Sequence, residues 1–213
     1  MKNLATLLAS ALLAAASSAP AAPVVLDRIA VIVNQHPIKS SDIDRDIRLT
    51  DFLNNEKLNE AGADKKKAAE RLIDQQVIRT EIATGRYSRP SSGDAEALLA
   101  QIRRERFGGS DARLKQGLQR YGLTEDQLRD QLLWQITVLR FINERFRAGV
   151  IVSDEDVRNY YDRHRSTYRG SFESSEKTIR TNLEGEQINQ QFESWLDDAR
   201  KMASIEYRQE ALL

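Results

Sequence analysis

The side chains best suited to catalysis are scarce in this chain. Among 213 residues there are two histidines, His36 and His164, and no cysteine. A thiol nucleophile is therefore excluded, and in an exported protein so are disulfides and a lipid-modified cysteine anchor. His164 falls seven residues after Val157 on the same helix face, where a packed imidazole is the simplest reading. A lone histidine without further ligands makes a poor metal site. The patterns H-E-x-x-H, G-x-S-x-G, the P-loop and G-x-G-x-x-G do not occur. Gly108-Gly109 reads as a helix terminator rather than a phosphate cradle. Two acidic groups remain: Asp154-Glu155-Asp156, and Asp42 with Asp44 and Asp46. Both stand where helices should begin, and negative charge there stabilises by about 0.3–1 kcal/mol. A structural role thus precedes a catalytic dyad, and no enzymatic activity, metal or cofactor is expected.

What elements would carry these residues? At 40% hydrophobic and 30% charged, the composition is that of one soluble globular domain, with room for a loosely attached lobe. The formal net charge is zero and basic residues interleave with acidic ones, which argues against a nucleic-acid surface. Lys2, the apolar run Leu4 to Ala16, and Ala19 with Ala21 in A-x-A spacing predict a signal peptide over residues 1–21, cleaved before Ala22. The alternative is a membrane anchor, but the run is shorter than the ~20 apolar residues of a spanning helix.

Leu26 to Asn34 is the most strand-like run, followed by a turn at Asn34-Gln35-His36-Pro37 and a short return at Ile38-Lys39. Ser41 with Asp44 is expected to cap a first helix, with Ile43, Ile47, Thr50 and Leu53 inward. A long helix spans about 65–84, carrying Leu72, Ile73, Val77 and Ile82, and Gly85 stops it. Beyond the breaker cluster 88–93, Leu98, Leu99 and Ile102 mark a helix, and Leu114, Leu118 and Tyr121 a shorter one. Thr124 to Gln127 forms a capping box, and Leu132, Ile136, Leu139, Ile142 and Phe146 predict the buried stripe of the next helix. Ser153 with Asp156 caps another helix, which should run to Tyr168. After an irregular stretch 169–174, Ile179 to Ala199 is helical with Gly185 as a weak point, and residues 203–208 alternate as a strand. That strand is expected to pair with the one at 29–33.

The order of these pieces resembles the SurA-like periplasmic chaperones. The resemblance rests on Arg28 to Asn34 with Pro37-Ile38 and Ser41-Asp42-Ile43, and on Arg71-Leu72-Ile73-Asp74. It continues in Tyr121 to Leu128, in Val152 to Arg158 with Tyr160-Tyr161, and in Trp195-Leu196, Ala199-Arg200 and Ala203 to Tyr207. It implies a mainly α fold: a multi-helix chaperone module with a small N-terminal β-hairpin and a C-terminal strand. The module would occupy 22–213, its N-terminal part about 24–168 and its C-terminal helix and strand about 175–208. In the family a parvulin-type prolyl isomerase domain sits between the tyrosine-rich helix and the C-terminal helix. Here only 169–174 fills that place, far short of the ~50 residues of a domain.

The function so implied is an ATP-independent holdase, exported to the periplasm, whose partners are unfolded or partly folded exported proteins, outer-membrane proteins among them. No nucleic-acid partner and no stable membrane insertion are expected. A dedicated assembly factor for one envelope partner is the alternative, with residual prolyl isomerase activity a more remote one. Phe52, Phe107, Tyr121 and Tyr161 are the candidate client-binding residues, each also at a helical spacing that suits the core.

Overall fold

The computed structural model describes residues 27–59, 62–168 and 170–208. The expected signal peptide at 1–21 lies outside them. In chain order the elements are β1 (Ile29–Val33), β2 (His36–Lys39), α1 (Ser40–Asn54), α2 (Gly62–Thr84), α3 (Ser92–Phe107), α4 (Asp111–Gln119) and α5 (Glu125–Phe146). A 3-10 turn at Arg147–Gly149 leads to α6 (Asp154–Arg163), α7 (Phe172–Met202) and β3 (Ile205–Tyr207). The mainly helical architecture expected from the sequence is the one observed.

The sheet has the order β2-β1-β3, with both neighbours antiparallel to β1. Asn34 and Gln35 both have positive φ, 47° and 72°. This left-handed pair matches the twist of a tight hairpin, and asparagine tolerates it better than most residues. Val31, Ile32 and Val33 pair with Tyr207, Glu206 and Ile205. The Asn34 side chain accepts the Ser204 N–H at 2.8 Å, and the Asn34 N–H donates to the Ser204 carbonyl at 2.9 Å. The expected pairing of first and last strands is therefore present, fixed by side chain as well as backbone.

Four apolar clusters support this frame. The first joins Val31, Val33 and Ile38 to Ile43 and Ile47 of α1 and to Ala68, Ala69, Ile73 and Val77 of α2, with Leu196 and Ala199 of α7 against it. Two consecutive alanines let α2 approach the sheet closely. A second cluster packs Leu49 and Phe52 of α1 with Leu99, Leu114, Leu118, Leu128 and Leu132. A third sets Trp134, Phe141 and Phe146 of α5 against Ile78 of α2 and Phe192 and Trp195 of α7. The fourth is a small one between α6 and α7, around Val157, Tyr161 and Ile179.

Local details differ from expectation in four places. Helix α1 starts at Ser40, and its cap is Asp42 accepting the Lys39 N–H at 3.0 Å rather than Ser41 with Asp44. Ser41 instead donates its hydroxyl to Asp27 at 2.6 Å, so its side chain is already engaged. On α5, Leu139 is 60% exposed rather than buried. Helix α6 ends at Arg163, because His164 leaves helical geometry and Thr167 and Tyr168 close turns back to His164 and Arg165. Helix α7 begins at Phe172 and passes through Gly185 unbroken. The helix propensity lost there, about 1 kcal/mol, is outweighed by packing on either side.

Candidate functional site

Helical spacing gathers one set of side chains onto facing walls. On α2, Leu72, Gln75, Arg79 and Ile82 follow each other at three or four residues, and so share a face. On α5 the same spacing aligns Gln127, Asp130, Trp134 and Thr137, and on α1 it aligns Asp42, Asp46 and Leu49. These faces bound a groove with two adjoining parts. One, of about 330 Å³, lies among α1, α2 and α5. The other, of about 610 Å³, lies between α2 and α5, with Arg89 and Pro90 also in its lining. Arg79, Asp130 and Trp134 line both parts.

The floor is apolar and the rim is polar. Leu49 and Leu72 underlie the smaller part, and Ile82 and Leu133 the larger, with the exposed Ala83 beside them. The Trp134 indole is 9% exposed and carries the Arg79 guanidinium over its face, 3.8 Å from the ring centroid. Desolvation at this contact lowers the arginine pKa. In the smaller part, Asp46 accepts two hydrogen bonds from Arg71, at 2.9 and 2.6 Å, and one from Gln75 at 3.4 Å. Burial nevertheless raises the Asp46 pKa, since its desolvation outweighs the attraction of Arg71. Gln75, Gln127 and Gln131 put carboxamides along this stretch. Each such group both donates and accepts, which suits the backbone of an extended chain.

This surface offers apolar area, amide hydrogen bonding and charge at its rim. It brings together no nucleophile with a general base. Among the described residues no cluster of three or more His, Asp or Glu could hold a metal ion. His36, in the hairpin, has its Nδ1 3.1 Å from the Asn34 carbonyl oxygen, and His164 stacks on Tyr160 at 4.1 Å, both away from the groove. Among the described residues no helix is long and apolar enough to cross a membrane.

The four aromatic residues singled out from sequence lie elsewhere. Phe52, Phe107 and Tyr121 meet where α1, α3 and α4 converge. Phe52 stacks on Phe107 at 6.2 Å and receives the Tyr121 edge at 5.5 Å. Phe52 is 1% exposed, so its ring serves packing, whereas Phe107 and Tyr121 are half-buried. The Tyr121 hydroxyl donates to the Glu56 carbonyl at 2.6 Å. Tyr161 belongs to the α6–α7 cluster and donates to the Gly170 carbonyl at 2.9 Å. The sequence reading passed over Arg79 and Trp134. A signal was present: Arg79 falls seven residues after Leu72, at the spacing of a stripe expected to be apolar.

No protein-family model matches the chain. It is 30% identical over 162 residues to the protein named Chaperone SurA of Pseudoalteromonas translucida (strain TAC 125), which covers 74% of this chain and 37% of that protein. It is 26% identical over 162 residues to Chaperone SurA of Chromobacterium violaceum, covering 73% and 37% respectively. The chain thus matches little more than a third of the length of these curated relatives. Over about three quarters of its own length, and in a helical fold in which β1 pairs with β3, this chain is a SurA-like protein.

Proposed function

We propose that this protein is an ATP-independent chaperone that holds unfolded exported proteins, outer-membrane proteins foremost, in the periplasm, and that the groove bounded by α1, α2 and α5 receives them. The observation that carries the reading is the groove itself: an apolar floor and a carboxamide- and charge-bearing rim, on a chain similar to proteins named as chaperones. A holdase must bind many sequences weakly and let them go. Each large apolar side chain buried against Leu133 or Ile82 contributes about 1.5–3 kcal/mol. A micromolar complex needs about −8 kcal/mol net, so a handful of such contacts suffices once ordering costs are met.

The same proposal holds that the mature module begins at about residue 22 and does not catalyse proline isomerisation. Helix α6 ends at Arg163 and α7 begins at Phe172, and between the corresponding helices the resembling family carries its isomerase domain. Nothing in the sequence provides a nucleotide cradle, which suits work in a compartment without ATP.

The test is suppression of aggregation. Several unrelated unfolded proteins, including an outer-membrane protein, are diluted from denaturant and their light scattering followed. The mature protein should reduce scattering without nucleotide, at a concentration near that of the client, and leave prolyl isomerisation of a peptide at its background rate. Ala83→Trp projects bulk into the groove from an exposed position on α2. That variant should melt like the wild type and protect poorly. Absence of protection by folded wild-type protein, or measurable isomerase turnover, contradicts the proposal.

A further inference from the structure

Charge is not distributed evenly along the groove. In the smaller part Asp42 pairs with Arg45, and Asp46 with Arg71, so those charges are answered within the protein. In the larger part Arg79 and Arg89 face a single acid, Asp130. Among the described residues, neither arginine has a carboxylate within ion-pair distance, and Arg79 makes no hydrogen bond; its one partner is the Trp134 ring. The guanidinium carbon lies 3.8 Å from the ring centroid, and the N–H donors have no acceptor among the described residues. The result is an exposed cation without an ion-pair partner among the described residues, held over Trp134 at the junction of both parts and beside Ile82 and Leu133.

We infer that the larger part of the groove selects, from an unfolded client, a segment in which an acidic side chain lies two residues from a large apolar one. This rests on the client-binding reading given above. In an extended chain, residues i and i+2 project to the same side, roughly 7 Å apart. The apolar side chain lies on Ile82 and Leu133 while the carboxylate takes hydrogen bonds from Arg79, with Arg89 adding charge. Charge-assisted hydrogen bonds of this kind are about twice as strong as neutral ones. Asp130 sets the complementary bias, because a lysine would meet two cations and one acid.

Three heptapeptides blocked at both ends test this, identical except for glutamate, glutamine or lysine two residues from a leucine. Their binding to the full mature protein is measured by titration calorimetry. The glutamate peptide should bind about tenfold more tightly than the glutamine peptide, and the lysine peptide more weakly still. Arg79→Gln should bring the first two within about twofold of each other, chiefly by weakening the glutamate peptide. Arg79→Lys, which keeps charge but loses the planar stack, should retain part of the preference and guards against misfolding as the explanation. Equal affinity of the wild type for the glutamate and glutamine peptides, with both competed by an unfolded client, overturns the acidic preference while leaving the groove as the client site. Failure of every peptide to bind, or binding unaffected by Ala83→Trp, rejects the groove reading and the preference with it.

Discussion

Asp46 brings a carboxylate into the contact between α1 and α2, where it is 7% exposed and held by Arg71 and Gln75. Its pKa lies above the ordinary 3.8 because burial penalises the ionised form more than Arg71 rewards it. Between that value and the raised one, the folded state keeps a proton that the unfolded chain has released. Stability from this group therefore rises as pH falls through the window. Asp156 behaves oppositely: hydrogen bonds from Ser153 hold its pKa down, so its contribution is present above 3.8 and lost as pH falls through its folded value. Comparing wild type with Asp46→Asn by denaturant melts isolates the first effect. From pH 7 down to about 4 the stability difference should move in favour of the wild type. A constant difference, or a shift toward the asparagine variant, contradicts this assignment. At this scale the site was only partly legible. Asp46 could be read as a helix-start charge, but its pairing with Arg71 joins two helices and no local spacing reports it. Trp134 was hidden for the same reason, and Arg79, though visible as a cation at the spacing of an apolar stripe, makes sense only once its ring partner is known.

Helix α5 shows where element-level reading succeeds and fails. Its start was legible because capping is local: Thr124 accepts the Gln127 N–H at 3.2 Å, and the Gln127 side chain returns to the Thr124 N–H at 2.9 Å. Thr124→Ala should cost about 1 kcal/mol, within a range of roughly 0.5–2, read from urea melts. Its buried face was only partly legible, because α5 packs on two sides at once. Leu128 and Leu132 enter the cluster with α3 and α4, whereas Trp134, Phe141 and Phe146 face α2 and α7. Of the expected stripe, Leu132 is buried in the first cluster and Phe146 in the second, with Ile142 packed against it, whereas Leu139 is left in solvent. Phe141 is 1% exposed and touches Tyr87, Phe146 and Trp195 edge-on. Phe141→Ala should therefore cost about 3–5 kcal/mol, while Leu139→Ala should leave the melting temperature almost unchanged. Equal losses from the two would mean that the face of α5 is misassigned.

At the scale of the molecule, β3 ties the end of α7 to the first strand, and Arg200 strengthens the tie by bridging Glu70 and Asp74 of α2. This closure was legible from a β-branched run and an alternating segment far apart in sequence, because a short β-rich run needs a partner. Truncation after Lys201 removes β3 and the packing of Ile205, and should lower the melting temperature by about 5 °C or more. The groove was not legible at all. It exists because α1, α2 and α5 leave a space between their polar-rimmed faces, a property of tertiary arrangement rather than of any segment. Its role is tested most directly by position-specific photo-crosslinking. A photoreactive residue at Ala83 or Thr137, within the groove, is compared with one at Lys115, an exposed position on α4 outside the groove lining. An unfolded outer-membrane protein should crosslink strongly from both groove positions and weakly from Lys115, and excess unlabelled unfolded protein should abolish the signal. Equal crosslinking from all three positions, or none from the groove, would contradict the account.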